Sequence, residues 1–450
     1  MDCFTTATPS CHCPEGHENV IQFLNSKVEA LYSYRDRFFE NHKIEDAILK
    51  NEEVEKLLQT TKQIFNHHEG LIKDEDRAQY NFLIGKMLNV VPSYDKLAEN
   101  YLSKAIKLDP KLVEAWNELG ECYWKNDDIG KSTNCYERAL KEQKNKISLR
   151  SLSMLARQSR AISADEKMKN IAKGLNYAKE AVQLDPQDGL SWAILGNAHL
   201  SSFFGIQQNP AILKKCLSAY AQAEKDLIAR TTPDVHYNKG ITLKYEEEYE
   251  LALESFNNAS MFDPTWDPPR LKEQQLVRYL KDIQEFAMSS GKMKAKRLQQ
   301  LLQAIDFKQL GPYYGGSYTS TTVNETVKLE LCKLSELKAG VNAEKVVLGK
   351  VVCSVRNEDV VPFTFCMVDK DGTCVVVTVF NLAAGKGYII GDSVAIPEPF
   401  VTDVNFCYKG DKFDFRMIRV EAPVVLVVNG KKVTRDQQAG VTLSIFKKYD

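Results

Sequence analysis

The side chains of this 450-residue chain that could do chemistry lie in separate places, and most lack the spacing that chemistry requires. Cys3, Cys11, Cys13 and His17 could by identity ligate zinc. They lack the paired C-x2-C spacing of structural sites, however, and lie in a polar N-terminal stretch that reads as a disordered tail. His67 and His68 sit at a helix end, where such pairs are solvated or cap carbonyls. Lys292, Lys294, Lys296 and Arg297 place four cations in six residues after Ser289-Ser290-Gly291. Such a run is either a solvated helix end or, presented in a turn between two helices, a contact for a phosphate backbone. Phe363, Phe365, Phe380, Phe413 and Phe415, with Arg416 and Arg419, could stack a single nucleic-acid strand, but strand alternation turns several of them inward, so protein contact or capping is favoured. No Walker A loop, G-x-G-x-x-G after a strand, G-x-S-x-G, H-E-x-x-H or kinase set is present. The expectation is a protein that is not an enzyme, with no catalytic residue, no metal site and no cofactor.

Composition narrows the class further. With 59 Lys plus Arg against 60 Asp plus Glu, the chain has no global attraction to nucleic acid, so any such attraction is local. No run of eighteen apolar residues and no secretory signal is visible, and no membrane partner is expected. Eleven cysteines without regular spacing fit a reducing compartment, cytoplasmic or nuclear.

The elements that would position these groups show as repeats. Trp116, Leu119, Gly120, Tyr123, Ser132, Tyr136 and Ala139 stand at the offsets of the tetratricopeptide pattern. A second copy starts at Trp192, Leu195 and Gly196 and ends with Cys216, Tyr220 and Ala223, its inter-helix turn lengthened by about eight residues. A third runs Gly240, Ala252, Phe256, Ala259, Pro264. Partial copies end in KAIKLDP and EAVQLDP, and the Asp-Pro stops at Asp109, Asp185 and Asp263 each close a helix. In such hairpins the first helix lines the inner face. That face receives Glu114, Asn117, Glu121, Trp124, Lys125, Asn197, Asp234, Tyr237 and Lys244, and the helix SLRSLSMLARQ adds Arg150 and Arg157. A groove of both signs is expected to bind a peptide carrying a cation beside an acidic residue, with Asp234 taking the cation and Arg157 the carboxylate. A solvated inner face is the alternative.

The expected fold class is α+β multidomain, an all-α tetratricopeptide superhelix followed by a small C-terminal OB-like β-barrel. Residues 1–18 read as a disordered tail, 19–74 as capping helices, 75–267 as repeats, and 268–307 as helices carrying the basic turn. The stretch 308–325 reads as a linker, and 326–440 as the barrel, where the period changes to two over five short strands: VVLGKVVCSV, PFTFCMVD, CVVVTVF, DSVAIPEPF and FDFRMIRVE.

The stretches LYSYRDRFFENH, KLVEAWNELGECYWK, SLSMLARQ, LSAYAQAEK, KYEEEYELALESF, VPFTFCMVD, GDSVAIPEP and VVLVVNGK, which cover most of residues 27 to 430, resemble the tetratricopeptide repeat protein five family, also called Strap. The resemblance implies a non-enzymatic adaptor with two roles. In one, the nascent tubulin N-terminal peptide, Met-Arg-Glu, is recognised at the ribosome and tubulin mRNA decay follows through a deadenylase-recruiting adaptor. In the other, an acetyltransferase coactivator and Jmy are scaffolded in the nucleus during the DNA-damage response. By position, the resemblance implies that Arg157 contacts the peptide's Glu and Asp234 its Arg; Arg150, Glu114, Asn117, Asn197 and Tyr237 of the inner face, with Asp267, complete the expected peptide-binding set. By the same resemblance Lys294 and Lys296 would face ribosomal RNA, and the expected ribosome-binding run is Lys292, Lys294, Lys296 and Arg297. The family's W-x-E-P-R stretch has a carboxylate just before Pro-Arg; here Pro268 and Pro269 stand there, and Asp267 is shifted.

Overall fold

Each repeat hairpin closes on a contact that only a missing Cβ permits. In a computed structural model that describes residues 20–206, 208–315, 317–319, 325–359, 361–383 and 385–439, a Cβ on Gly196 would stand 2.5 Å from the Tyr220 ring, and one on Gly120 2.8 Å from the Tyr136 ring. Gly240 meets Phe256 in the same way at 2.8 Å. The aromatic of the second helix thus lies directly on the backbone of the first, which is why these positions are small. The expected tail at 1–18, with Cys3, Cys11, Cys13 and His17, lies outside the described residues.

The chain forms two compact units. The first takes in the described residues up to Phe203, with Ala211–Val235 and Met261–Thr265. Its helices Val20–Asp36 and Lys50–His68 bury Leu24, Val28, Leu31, Val54, Leu58 and Phe65. Hairpins follow in order: Arg77–Leu88 with Lys96–Leu108, Val113–Lys125 with Ile129–Glu142, Lys146–Gln158 with Ala164–Leu184, and Gly189–Gly205 with Pro210–Ala223. The Asp-Pro stops share one device. The Asp109 and Asp185 side chains accept from the backbone N–H two residues on, at 2.9 and 3.1 Å. The indoles of Trp116 and Trp192 then donate to the carbonyls of Pro110 and Pro186 at 2.8 and 2.9 Å. Both tryptophans are therefore only partly buried, and they tie one hairpin's start to the preceding helix's end.

The second unit holds Phe204–Pro210, His236–Ser260 and the chain from Trp266 onward. The last repeat hairpin, Pro233–Tyr245 and Tyr249–Phe262, thus falls largely with the barrel, and the boundary drawn at 267 from sequence does not separate compact units. Strand Lys345–Val355 pairs with Phe363–Val368, which pairs with Cys374–Val379, which runs parallel to Asp411–Val420. Asp411–Val420 pairs with Phe400–Tyr408, and Ser393–Pro397 pairs back onto Lys345–Val355. Ser393–Pro397 and Phe400–Tyr408 are one strand bent at Glu398, whose φ is 42° and whose N–H donates to Lys345 O at 2.7 Å. Counting them as one closes the sheet into a five-stranded barrel in the order of an OB fold. Two successive residues with positive φ, Lys409 and Gly410, form the tight turn that joins the last two strands. Phe365, Met367, Val375, Val377, Val379, Val351, Ile396 and Ile418 fill the interior.

Two sequence expectations are corrected here. The stretch 308–325 is not a plain linker: Phe307–Tyr313 is a short 3₁₀ segment that buries Leu310 and Tyr313 against Val346, Leu348, Ala395 and Val427. Tyr313 also donates to Val425 O at 2.6 Å. Ser317–Thr319 then pairs with Thr326–Lys328. The half-strand Phe400–Tyr408 escapes the period-two pattern because Glu398-Pro399 interrupts the alternation.

Because the ring seats on the glycine backbone, Gly196→Val should destabilise the first unit by about 1–3 kcal/mol through overpacking. Gly70, where a Cβ would meet no atom within 4 Å, should accept alanine without loss. Thermal melts of the two variants check this, and equal melts would mean that the seam tolerates a Cβ.

Candidate functional site

Among the charges expected on the inner face, the structure separates those with an ion pair from those without one among the described residues. Arg150 donates to Asp188 at 2.8 Å, and Asp188 also receives Lys146 at 3.1 Å and the Ser191 N–H at 2.9 Å. These cations draw the Asp188 carboxyl below the ordinary range against the opposing effect of its burial. Asn117 is buried, donating to Asn145 at 3.2 Å and accepting from the Ser148 hydroxyl at 2.5 Å. Lys125 is spent on Glu121, Asn89 and Val91. In the second unit Lys244 is buried against Asp359, which also binds Lys272 at 2.7 Å. Arg150, Asn117, Lys125 and Lys244 are therefore all engaged within the fold.

Arg157 is different. It lies in the helix Lys146–Gln158, half-buried, where Nε donates to Ser153 O at 3.0 Å and Nη1 approaches the Ser201 hydroxyl at 3.4 Å. It makes no ion pair among the described residues. Burial pulls its guanidinium down to about 10, only partly offset by Tyr220, yet it stays cationic at neutral pH. Its neighbours are polar acceptors and donors arranged in one chain of bonds. Ser201 donates to Asn197 O at 2.9 Å, and the Tyr220 hydroxyl donates to Asn197 Oδ1 at 2.8 Å, while the Asn197 amide N–H groups have no partner among the described residues. Arg157 and Asn197 are thus brought together as donors through Ser201 and Tyr220. The repeat pattern assigns Tyr220 to the core and is silent on Ser201. The hydroxyl on Tyr220, where the pattern is content with phenylalanine, is the signal that points to a polar role.

Asp234, on the first turn of Pro233–Tyr245, makes no ion pair among the described residues either. Its side chain reaches solvent, yet the protein atoms around it push its carboxyl up, with the charge of Asp263 adding to this. Glu114 is exposed and also without an ion pair among the described residues. In the second unit the Tyr237 ring stands 5.0 Å from Trp266 and 5.9 Å from Phe256, and Asp267 meets Arg270 at 3.3 Å.

The basic run sorts in the same way. Lys292 is paired with Glu285 at 2.7 Å and lies over the Phe286 ring. Lys294, Lys296 and Arg297 are exposed, without ion pairs among the described residues, at the start of the helix Ala295–Gln303, whose N-terminal end adds positive potential.

The barrel's outward aromatics are not free to stack bases. Phe413 and Phe415 are buried, Gln284 bonds the backbone of Lys412 and Asp414 at 3.2 and 2.6 Å, and Tyr279 bonds Thr364 at 2.7 Å. Arg416 holds Asp403 at 2.7 Å, and Arg419 holds Glu421 at 2.6 Å and Tyr245 O at 2.8 Å while lying over Phe380. Phe365 faces the interior. The helix Asp267–Met288 and the turn after Tyr245 therefore cover the strand face on which OB folds commonly read single strands. Among the described residues no group of His, Cys, Asp and Glu could hold a metal, and no helix is long and apolar enough to cross a membrane.

Comparison with known proteins accounts for this combination. A family model described as the tetratricopeptide repeat protein 5 OB fold domain matches residues 328–442, and a tetratricopeptide repeat model matches 113–146. Tetratricopeptide repeat protein 5 of Homo sapiens is 46% identical over 426 residues, which span 94% of this chain and 96% of the relative. The chain belongs to the tetratricopeptide repeat protein 5 family. The Mus musculus member is likewise 46% identical, over 96% of this chain and 97% of its own length. The protein is thus a tetratricopeptide-repeat adaptor of this family, with a C-terminal OB fold domain.

A half-buried cation without a counter-charge costs folding energy that only a ligand can recover. Arg157→Met should therefore leave stability unchanged or raise it by about 1 kcal/mol. A thermal melt checks this, and a loss of more than about 2 kcal/mol would assign Arg157 to the framework.

Proposed function

We propose that this protein is an adaptor that recognises the N-terminal Met-Arg-Glu peptide of nascent tubulin on the ribosome and promotes cotranslational decay of tubulin mRNA through a deadenylase-recruiting adaptor. The observation that carries the reading is the presence of a cation, Arg157, and a carboxylate, Asp234, that have no ion pair among the described residues of the first compact unit. A peptide with an Arg next to a Glu supplies both missing counter-charges. Arg157 and the Asn197 amide would hold the Glu carboxylate in charge-assisted bonds, and Asp234 would take the guanidinium. Glu114 is available for a further cation such as the free amino terminus. The reading places the protein in the cytoplasm, and the family resemblance supports it.

The basic turn gives the second contact. Lys294, Lys296 and Arg297, having no ion pairs among the described residues, would meet ribosomal RNA and gain affinity by counterion release. Replacing Lys294 and Lys296 by Glu should abolish ribosome co-sedimentation at physiological salt while free peptide still binds. Each lost phosphate contact should flatten the log–log salt dependence by roughly 0.7 to 0.9. Unchanged co-sedimentation would move the ribosome contact elsewhere.

Peptide recognition is tested by fluorescence polarisation with a Met-Arg-Glu-starting peptide. Arg157→Glu should cost on the order of 2–5 kcal/mol of binding. The cation needs the ionised form of Asp234, whose carboxyl is raised in the free protein, so affinity should fall as pH drops through that raised value, and Asp234→Asn should weaken binding and flatten this pH dependence. Equal binding by all variants at every pH would overturn the reading.

A further inference from the structure

Three of the chain's thiols lie on one outward face of the barrel, beneath the basic turn. Cys353 on Lys345–Val355 stands directly across from Cys366 on Phe363–Val368 in the antiparallel register. Directly opposed residues share a face and have Cα atoms about 4.5–5.5 Å apart, inside the range a disulfide spans. Cys374 starts the next strand, on the same face and two residues from Val376, which stands across from Cys366. All three are free thiols. Cys366 is fully enclosed, whereas Cys353 retains 8% exposure and Cys374 is partly exposed, so a small solute has an approach.

What lies over Cys353 is unusual. Gly291 packs so closely that a Cβ there would stand 3.0 Å from Cys353 Cβ and 3.1 Å from its Sγ. Gly291 is the middle of three successive residues with positive φ, Ser290 at 48°, Gly291 at 71° and Lys292 at 56°. Two of them carry side chains that resist this conformation, so the turn keeps its form only because its surroundings hold it. Those surroundings are the strands that carry Cys353 and Cys366.

We propose that Cys353 and Cys366 form a peroxide-oxidisable dithiol, a modification site whose disulfide alters the turn that presents Lys294, Lys296 and Arg297. Cys353 retains exposure where Cys366 has none, which assigns Cys353 as the attacking sulfur, and the neighbouring thiol lowers the pKa of Cys353 while that of Cys366 is raised. The Cys353 thiolate attacks one oxygen of hydrogen peroxide, the O–O bond breaks, and the departing hydroxide takes up a proton as water, leaving a sulfenic acid. The Cys366 sulfur then displaces the sulfenic hydroxyl, losing its own proton, so that two thiols and one peroxide give one disulfide and two waters. The new bond draws Cys353 Sγ toward Cys366 and away from the position against which Gly291 rests.

The test uses the full chain, purified under reductant, desalted and treated with hydrogen peroxide. After alkylation, digestion without reductant should yield a linked pair of peptides containing Cys353 and Cys366, lost on adding dithiothreitol. Cys353→Ala and Cys366→Ala should each abolish the link, and Cys407→Ala, which removes an exposed thiol, should not. Hydrogen exchange at residues 289–297 should lose protection in the oxidised protein. The wild-type mapping decides even where an alanine variant fails to fold: a link from Cys366 to Cys374, or oxidation confined to Cys407, overturns the proposal, as does a Cys353–Cys366 link that leaves exchange at the turn unchanged. Weakened ribosome co-sedimentation of the oxidised chain is the further expected result. That readout rests on the RNA role proposed above, whereas peptide mapping and exchange do not, so the two readings fail separately.

Discussion

Glu247 ties the last repeat hairpin to the barrel, and the second unit depends on that tie. It sits in the turn between the two helices of the last repeat, at a φ of 65°, with 7% of its surface exposed. One oxygen accepts from Thr378 on the barrel at 2.7 Å, and the other faces Arg419 at 3.5 Å, an ion-pair distance without a hydrogen bond. Burial raises its carboxyl, and Arg419 opposes the rise. Removing one member of such a buried pair strands the other at a cost of about 3–5 kcal/mol. A second carboxylate, Asp359 in the loop between the first two barrel strands, does the same for Lys244 and Lys272. Together with the bond between Lys409 and Glu273 at 2.5 Å, these pairs pin both loops that flank the usual OB reading face. The covered barrel and the allegiance of the last hairpin both follow from them.

The repeat frame was legible in the sequence because its rules are local. A glycine facing an aromatic of the next helix, an Asp-Pro stop and a tryptophan six residues beyond the proline recur along the chain, and each has a geometric reason visible within a hairpin or at its join to the one before. The mixed sign of the inner face was legible too. Which of its charges are free was not, because ion pairs join residues far apart in sequence. Arg150 finds Asp188 on the next hairpin, and Lys244 finds Asp359 across 115 positions. Arg157 and Asp234 are distinguished from them by the absence of an ion pair among the described residues, and no spacing rule encodes a missing partner.

The barrel was legible in its strand count and obscured at two places. Pro399 follows a residue with left-handed φ, and together they bend one strand so that its two halves serve opposite edges of the sheet, a closure that alternation alone does not record. The glycines and hydroxyls of 308–325 read as a linker, but Tyr313 and Tyr318 meet at 5.5 Å and are buried. Two well-placed aromatics outweigh composition where they have a surface to reach.

The cover over strands Phe363–Val368 and Cys374–Val379 has a consequence for anyone dividing the protein. A fragment beginning near residue 326 keeps all five barrel strands and loses Tyr279, Glu247 and Gln284, so Thr364, Thr378, Phe413 and Phe415 become solvent-facing. Such a fragment presents a sticky aromatic face with Arg419 beside it, well suited to bases. Nucleic-acid binding measured on it would describe an artificial surface, created by the scissors, that the intact chain keeps closed.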